Sequence, residues 1–378
     1  MMRSVFLLIL AATALGGCTT ADILDCRAAN GLTPDCRFEN PEDFAVSPAG
    51  TALIISEMGR GGLESRQGRL VAYYPDTAGT GRGEPRILWP RSPGGDPAAA
   101  ALAATAAPAA TAAPAAGPAL GDPSCKALSA DDRLVPHGID LEQLADGRHA
   151  LYVVNHGLRE SIEIFEVIDD GRTVALEPRG CVLAPPDATT NDVVALRDGG
   201  FRVSDSFRRS ENVILSGLRM RYGSHRPGFA WEWRPGRGYS PIPGTEVAYA
   251  NGIDKSNDER YVYLNAYFEN KIIKVDTQSG VRVSEASIPG PDNVTWSDNG
   301  RLLVASHQAG TFDLLKCLRI ERGNCGFRFN IVEVDPDSLQ TRVLLDQEGP
   351  PMGAATVALP FRGRLYLGTF AGDRIAWR

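Results

Sequence analysis

Acidic and amide side chains recur at one kind of position along this chain. They form the adjacent pairs Glu42-Asp43, Asn191-Asp192 and Asp292-Asn293, and Asn251 stands alone in a further copy. Their oxygens are hard ligands, of which calcium takes about six to eight at about 2.3–2.6 Å. Taken singly, Asn and Asp are common turn residues, because they hydrogen-bond their own backbone. Recurrence at the same point of successive repeats is what points to one or two calcium ions. His137 marks another copy, and His156 and His307 end the runs VVNH and VASH. His137 and His156 flank one hairpin and come close if its strands pair. An imidazole titrates near neutral pH and so suits a general base. His149 and His225 sit in turn-like sequence and receive no role. No Gly-x-Ser-x-Gly, His-Glu-x-x-His or phosphate-binding glycine loop is present, which argues against serine hydrolase, zinc protease and nucleotide chemistry.

The elements that would position these groups are short strands. Gly290 to Gly310 reads GPDNVTWSDNGRLLVASHQAG. It is a polar tip, a strand over 294–297, a turn at Asp298-Asn299-Gly300 and a second strand over 302–306. An Asn-Gly step between apolar runs signals a hairpin, both residues tolerating positive φ. The unit recurs after Asn40-Pro41-Glu42-Asp43, Pro136-His137-Gly138-Ile139, Thr190-Asn191-Asp192 and Ala250-Asn251-Gly252-Ile253, and more weakly after Met352-Gly353-Ala354-Ala355. Recurrence of paired strands about every 40–60 residues is the mark of propeller blades. The expected fold is all-β, a six-bladed β-propeller over 39–378 with the polar tips meeting near its axis.

Composition agrees. Forty glycines and 26 prolines fit many turns, and a hydrophobic content of 43% allows a large core. A net charge of -7 argues against a nucleic-acid partner. At the N-terminus, Arg3, an apolar run and Leu15-Gly16-Gly17-Cys18 describe an export signal. Its ending resembles the lipobox of bacterial lipoproteins. That implies a signal over 1–17, a lipid on Cys18 as the link to a membrane, and residence in the envelope, at the outer membrane or periplasm. Residues 18–38 read as a tether. The remaining cysteines, Cys26, Cys36, Cys125, Cys181, Cys317 and Cys325, suit disulfides in an exported chain. Spacing hints at Cys26–Cys36, Cys317–Cys325 and Cys125–Cys181. The alanine- and proline-rich stretch over about 96–122 reads as a disordered insertion. The excursion from Ser206 to Arg234 is placed to cover one mouth of the channel.

At PEDFAVSPAG, PHGI with VVNH, TNDVVAL, YANGI with YVYL, PDNV with SHQAG, and ATVALPFRGRLYLGTF, the chain resembles the paraoxonase/arylesterase family. The resemblance runs from about Cys36 to the end, excluding the insertion. It implies a propeller with two calcium ions in its tunnel, one catalytic and one structural. Glu42, Asn191, Asn251, Asp292 and Asn293 would hold the catalytic ion. Asp43, Asp192 and the carbonyl of Ile139 would hold the deeper one. His137 and His156 match the family's histidine pair, and His307 a further histidine lining the active site. The implied activity is calcium-dependent hydrolysis of lactones and aryl esters, small-molecule substrates. The family's disulfide to the last strand has no counterpart, since no cysteine follows Cys325, so ring closure must rest on strand pairing. Two other readings stand beside this one: a gluconolactonase-like sugar lactonase, and a non-enzymatic propeller scaffold on the cell envelope.

Overall fold

The computed structural model describes residues 22–61, 65, 67–76, 83–91, 119–129 and 132–378. The export signal, Cys18 and nearly all of the alanine-rich insertion lie outside these residues. Strand pairing divides the chain into six antiparallel blades. The first strand, β1 (Thr33–Asp35), does not join the sheet that follows it. Blade one is β2 (Pro41–Val46), β3 (Leu53–Glu57), β4 (Arg69–Tyr74) and β5 (Glu84–Trp89). The two-residue β6 (Leu120–Gly121) adds a parallel outer strand to blade two, which comprises β7 (Pro136–Gln143), β8 (His149–Asn155), β9 (Ser161–Asp169) and β10 (Val174–Leu183). Blade three is β11 (Thr190–Ala195), β12 (Phe201–Asp205), β13 (Phe229–Arg234) and β14 (Gly238–Pro241). Blade four is β15 (Ala250–Lys255), β16 (Tyr261–Ala266), β17 (Lys271–Asp276) and β18 (Val281–Ser287). Blade five is β19 (Pro291–Trp296), β20 (Leu302–His307), β21 (Phe329–Val334) and β22 (Thr341–Gln347). Blade six is β23 (Ala355–Phe361), β24 (Arg364–Thr369) and β25 (Ile375–Trp377), with β1 as its outermost strand. The innermost strands β2, β7, β11, β15, β19 and β23 each lie against the next, and β23 returns to β2.

The strands read as continuous apolar runs because both faces of each blade are covered. In β20, Leu302 and Val304 pack toward blade four, while Leu303 and Ala305 pack toward blade six. The same division gives one apolar core between every pair of adjacent blades.

Closure corrects the expected domain boundary at residue 39. Thr33 to Asp35 pair with Trp377 to Ile375, so the propeller begins inside the segment read as a tether. Without this pairing β25 would present an open sheet edge, with its backbone groups unpaired. The buried guanidinium of Arg374 reinforces the seam by donating to the carbonyls of Ile23, Asp25 and Pro351. The three expected disulfides are present: Cys26–Cys36, Cys125–Cys181 and Cys317–Cys325. Such bonds belong to oxidising compartments. The turn after β19 differs in detail from the expected one. Gly300 has φ 73° but Asn299 is not left-handed, and Gly300 N–H closes the turn on Ser297 O. The excursion after β12 forms helix α1 (Val213–Tyr222), which lies against the short 3-10 helix Tyr267–Glu269. Blade five carries the corresponding helix α2 (Thr311–Cys317). Among the described residues no helix is long and apolar enough to cross a membrane.

Candidate active site

Each innermost strand contains one extra residue near its start, at the same register in all six blades. Such a bulge bends the strand and breaks the alternation of side chains. It explains how adjacent residues such as Glu42 and Asp43, or Asp292 and Asn293, both serve the tunnel. The register aligns Glu42, His137, Asn191, Asn251, Asp292 and Thr356 at one level, so the sixth copy begins at Ala355 rather than at Met352. The next level holds Asp43, Gly138, Asp192, Gly252, Asn293 and Val357. Gly138 is required by close approach: a Cβ there would lie 2.3 Å from Asp192 Oδ1. In four blades a left-handed residue immediately precedes the strand: Asn40 (φ 53°), Tyr249 (φ 64°), Gly290 (φ 43°) and Ala354 (φ 55°). Asn and Gly take this conformation readily, whereas a residue such as Tyr249 pays roughly 1–2 kcal/mol. Rings of Phe207, Tyr267 and Phe268 pack around Tyr249 and hold it there.

The upper level, which Asn293 joins from the next, is buried and rich in oxygen. Asn293 Nδ2 donates to Glu42 Oε1 at 2.8 Å, and the Asn251 amide hydrogen-bonds the Asp292 carboxyl. Four buried side-chain oxygens have no partner here: Glu42 Oε2, Asn191 Oδ1, Asn251 Oδ1 and Asn293 Oδ1. An orphaned buried acceptor costs about 1–3 kcal/mol, so four from one ligand set mark a place suited to a cation. Burial, reinforced by neighbouring carboxylates, pushes Glu42 well above the usual carboxylate range. Burial raises Asp292 to about 8. Among the described residues no three His, Cys, Asp or Glu side chains are grouped tightly enough to hold an ion by themselves. A cation here therefore depends on the amide oxygens.

The lower level is built differently. Asp43 accepts from Phe44 N–H and, across the blade boundary, from Ile139 N–H, both at 2.8 Å. Asp192 repeats this with Val193 and Ile253. Each carboxylate thus staples its own blade to the innermost strand of the next. Burial raises Asp43 to about 7 and Asp192 well above its ordinary range. Asp43→Ala leaves two buried N–H groups unpaired and should cost on the order of 2–4 kcal/mol. Melting measured with calcium and with chelator checks this. A staple predicts a loss in both conditions, whereas a loss confined to calcium would assign the carboxylate to an ion alone.

The histidines separate into two environments. His137 Nδ1 and His156 Nε2 are 3.0 Å apart, and His137 Nε2 lies 3.8 Å from Glu42 Oε1. Burial, together with the neighbouring His156, pushes His137 well below its ordinary value and keeps it neutral. His156 Nδ1 faces Glu160 Oε2 at 2.9 Å. His307 Nε2 faces two acceptors, Ala355 O at 2.8 Å and Asp292 Oδ2 at 3.2 Å. It must therefore carry the proton there, and Nδ1 accepts from Tyr267 Oη at 2.9 Å. Burial lowers His307 to about 4. With its one lone pair occupied, His307 is placed to orient Asp292.

Several contributors escaped sequence reading. Glu160 looks like an ordinary loop charge four residues after His156. Tyr267 lies in a connection with no motif. Asn265 donates to the carbonyl of Asp292 from a strand interior. Thr356 Oγ1 donates to Glu42 O at 2.7 Å. Only the strand register, which aligns Thr356 with Glu42, could have signalled one of them.

No protein-family model matches the chain, and no curated protein matches it in sequence. Solved structures do resemble it. A luciferin-regenerating enzyme is 13% identical with TM-score 0.51, over 92% of this chain and 95% of that one. A gluconolactonase from Xanthomonas campestris is 14% identical with TM-score 0.47, covering 96% and 95%. A periplasmic gluconolactonase from Pseudomonas aeruginosa is 16% identical with TM-score 0.45, covering 87% and 78%. At these identities the likeness concerns the fold alone.

Proposed function

We propose that this chain is an exported hydrolase of lactones that works with a divalent cation, calcium by the chemistry of its ligands. The observation that carries this is the set of orphaned buried oxygens on Glu42, Asn191, Asn251 and Asn293 beside Asp292 and the histidine pair. Those five residues would hold the ion, the hard oxygen set suiting calcium. A second, structural ion at Asp43, Asp192 and the Ile139 carbonyl remains part of the proposal on resemblance to paraoxonases. A bound cation supplies Lewis acidity, polarising the substrate carbonyl and favouring the developing oxyanion.

The protein's own residues supply the rest. His137, buried and neutral, would offer a ring nitrogen to the attacking water, and His156 orients it. His307 and Asn251 hold the Asp292 carboxylate in place. Paraoxonase-like substrates, alkyl lactones and aryl esters, follow from the sequence resemblance. A sugar lactone is the second reading: gluconolactonase is the activity named for the Xanthomonas and Pseudomonas structures. The N-terminal segment fits a lipid anchor on Cys18 at the outer membrane. Its first described residues are already docked, Asp22 against Lys316 at 3.2 Å and Ile23 paired with Asn324.

Turnover of δ-gluconolactone, an alkyl δ-lactone and phenyl acetate, with calcium and with chelator, tests the proposal. Hydrolysis lost on chelation and restored by calcium is the expected result, and the preferred substrate separates the two readings. Unchanged turnover in protein shown to be metal-free would remove the cation from the chemistry. Inertness toward all three substrates would favour a binding scaffold.

A further inference from the structure

We propose that Glu160 is a positioning residue for the histidine pair, holding the Nδ1 proton of His156 so that His137 presents the lone pair of Nε2 to the tunnel. This rests on the reading of His137 as the base, and the atoms around Glu160 dictate the rest. Glu160 lies in the connection from β8 to β9 and is largely buried. Its Oε1 accepts from Thr190 N–H at 2.9 Å and from Thr190 Oγ1 at 2.7 Å. Its Oε2 faces His156 Nδ1 at 2.9 Å and also accepts from Arg209. Every other partner of this carboxylate is a donor, and Arg209 balances its charge, so it stands as the anion and His156 Nδ1 must carry a proton.

The tautomers then follow along the chain of contacts. With the proton on His156 Nδ1, neutral His156 has its lone pair on Nε2. That lone pair accepts from His137 Nδ1–H across 3.0 Å. The lone pair of His137 is left on Nε2, the nitrogen that faces Glu42 and the tunnel. When water attacks a lactone carbonyl, its oxygen forms the new C–O bond and its proton goes to His137 Nε2. The Nδ1 proton of His137 can pass to His156 Nε2, placing the imidazolium charge against Glu160 and away from the cation ligands. The proton returns along the same path to the alkoxide released when the ring C–O bond breaks. No electron changes hands. The arrangement follows the logic of a carboxylate that orients a histidine base and stabilises its charged form, here with a second imidazole between. Thr190 precedes the candidate ligand Asn191 in β11, so Glu160 also ties the histidine pair to a strand of the cation site.

Glu160→Gln is the informative change. Thr190 supplies two donors to Oε1, which selects the amide oxygen for that side and turns the amide N–H toward His156 Nδ1, the half-exposed Arg209 side chain turning out to solvent. That reverses the preferred tautomer with little change in volume. We expect kcat to fall by about 10²-fold or more, with KM nearly unchanged. His137→Gln should fall by about 10²–10⁴-fold, and the double variant should be no slower than His137→Gln alone. Substrate is whichever of the three compounds above is hydrolysed. Independently of turnover, ¹⁵N shifts of the wild-type histidines should place the protons of both His137 and His156 on Nδ1. They should show His156 changed in Glu160→Gln.

Wild-type shifts with His137 protonated on Nε2 would overturn the proposal, and this measurement needs no variant to fold. So would Glu160→Gln at wild-type kcat when His137→Gln is crippled. If His137→Gln turns over normally, it is the base reading that fails, while the shifts still decide whether Glu160 sets the tautomer.

Discussion

Asn251→Ala should reduce lactone turnover by about 10²-fold or more, the scale expected when one preorganised polar group is removed from the reacting centre. The residue is nearly fully buried, its amide holds Asp292, and its Oδ1 has no partner within the protein. An oxygen placed so costs stability unless a ligand uses it. Removing it should therefore affect folding less than an ordinary buried amide would. Asn251→Asp sharpens the test, because it keeps an oxygen and adds a negative charge beside Glu42 and Asp292. If a dication occupies the site, the Asp variant should retain calcium and part of the activity. In chelator it should be the less stable of the two variants, since another buried carboxylate then goes uncompensated. Wild-type turnover in Asn251→Ala would move the chemistry elsewhere and make the scaffold reading the better one.

The second large effect joins metal removal to pH. Asp43 is raised to about 7 and Asp292 to about 8, both chiefly by burial, and Glu42 and Asp192 are raised in the same sense. A carboxyl whose pKa is higher in the folded than in the unfolded chain binds more protons when folded. Its contribution is present in full below the ordinary carboxyl range of about 4 and is lost as pH rises. Chelated protein should thus lose stability from about pH 4 to about pH 8, most steeply above the ordinary histidine value of about 6.5, below which the depressed His137 and His307 oppose the carboxyls. A bound cation favours the ionised carboxylates, so calcium should flatten the slope. At a hundredfold excess over Kd, binding adds roughly 2.7 kcal/mol, worth about 3–5 °C in melting temperature for a domain of this size. Melting curves across that pH range, with and without calcium, read both effects. A chelated protein that is most stable near pH 8 would contradict the buried-acid account.

What the sequence determined by itself was local and repeated. Strand-turn-strand units with donor pairs at one end, such as PDNV before TWSDNG, were legible because alternation, turn residues and ligand types all lie within a few positions of one another. Six such copies imply a ring, while the spacing of the six cysteines only hinted at the pairs that the folded chain joins. Tertiary structure decided which groups meet. Asn293 reaches Glu42 across 251 residues and Thr356 reaches it across 314, distances over which no local pattern carries information. The extra residue in each innermost strand shows only when partner strands are set side by side. It is that residue which turns consecutive donors toward the tunnel. Thr33 to Asp35 carries no strand signal of its own and becomes one because β25 offers an unpaired edge. Glu160 was unreadable for the same reason. A carboxylate in a loop is solvated by default, and only the arrival of Thr190 and Arg209 from other parts of the chain fixes it against the nearby His156 and makes it a partner of the candidate base.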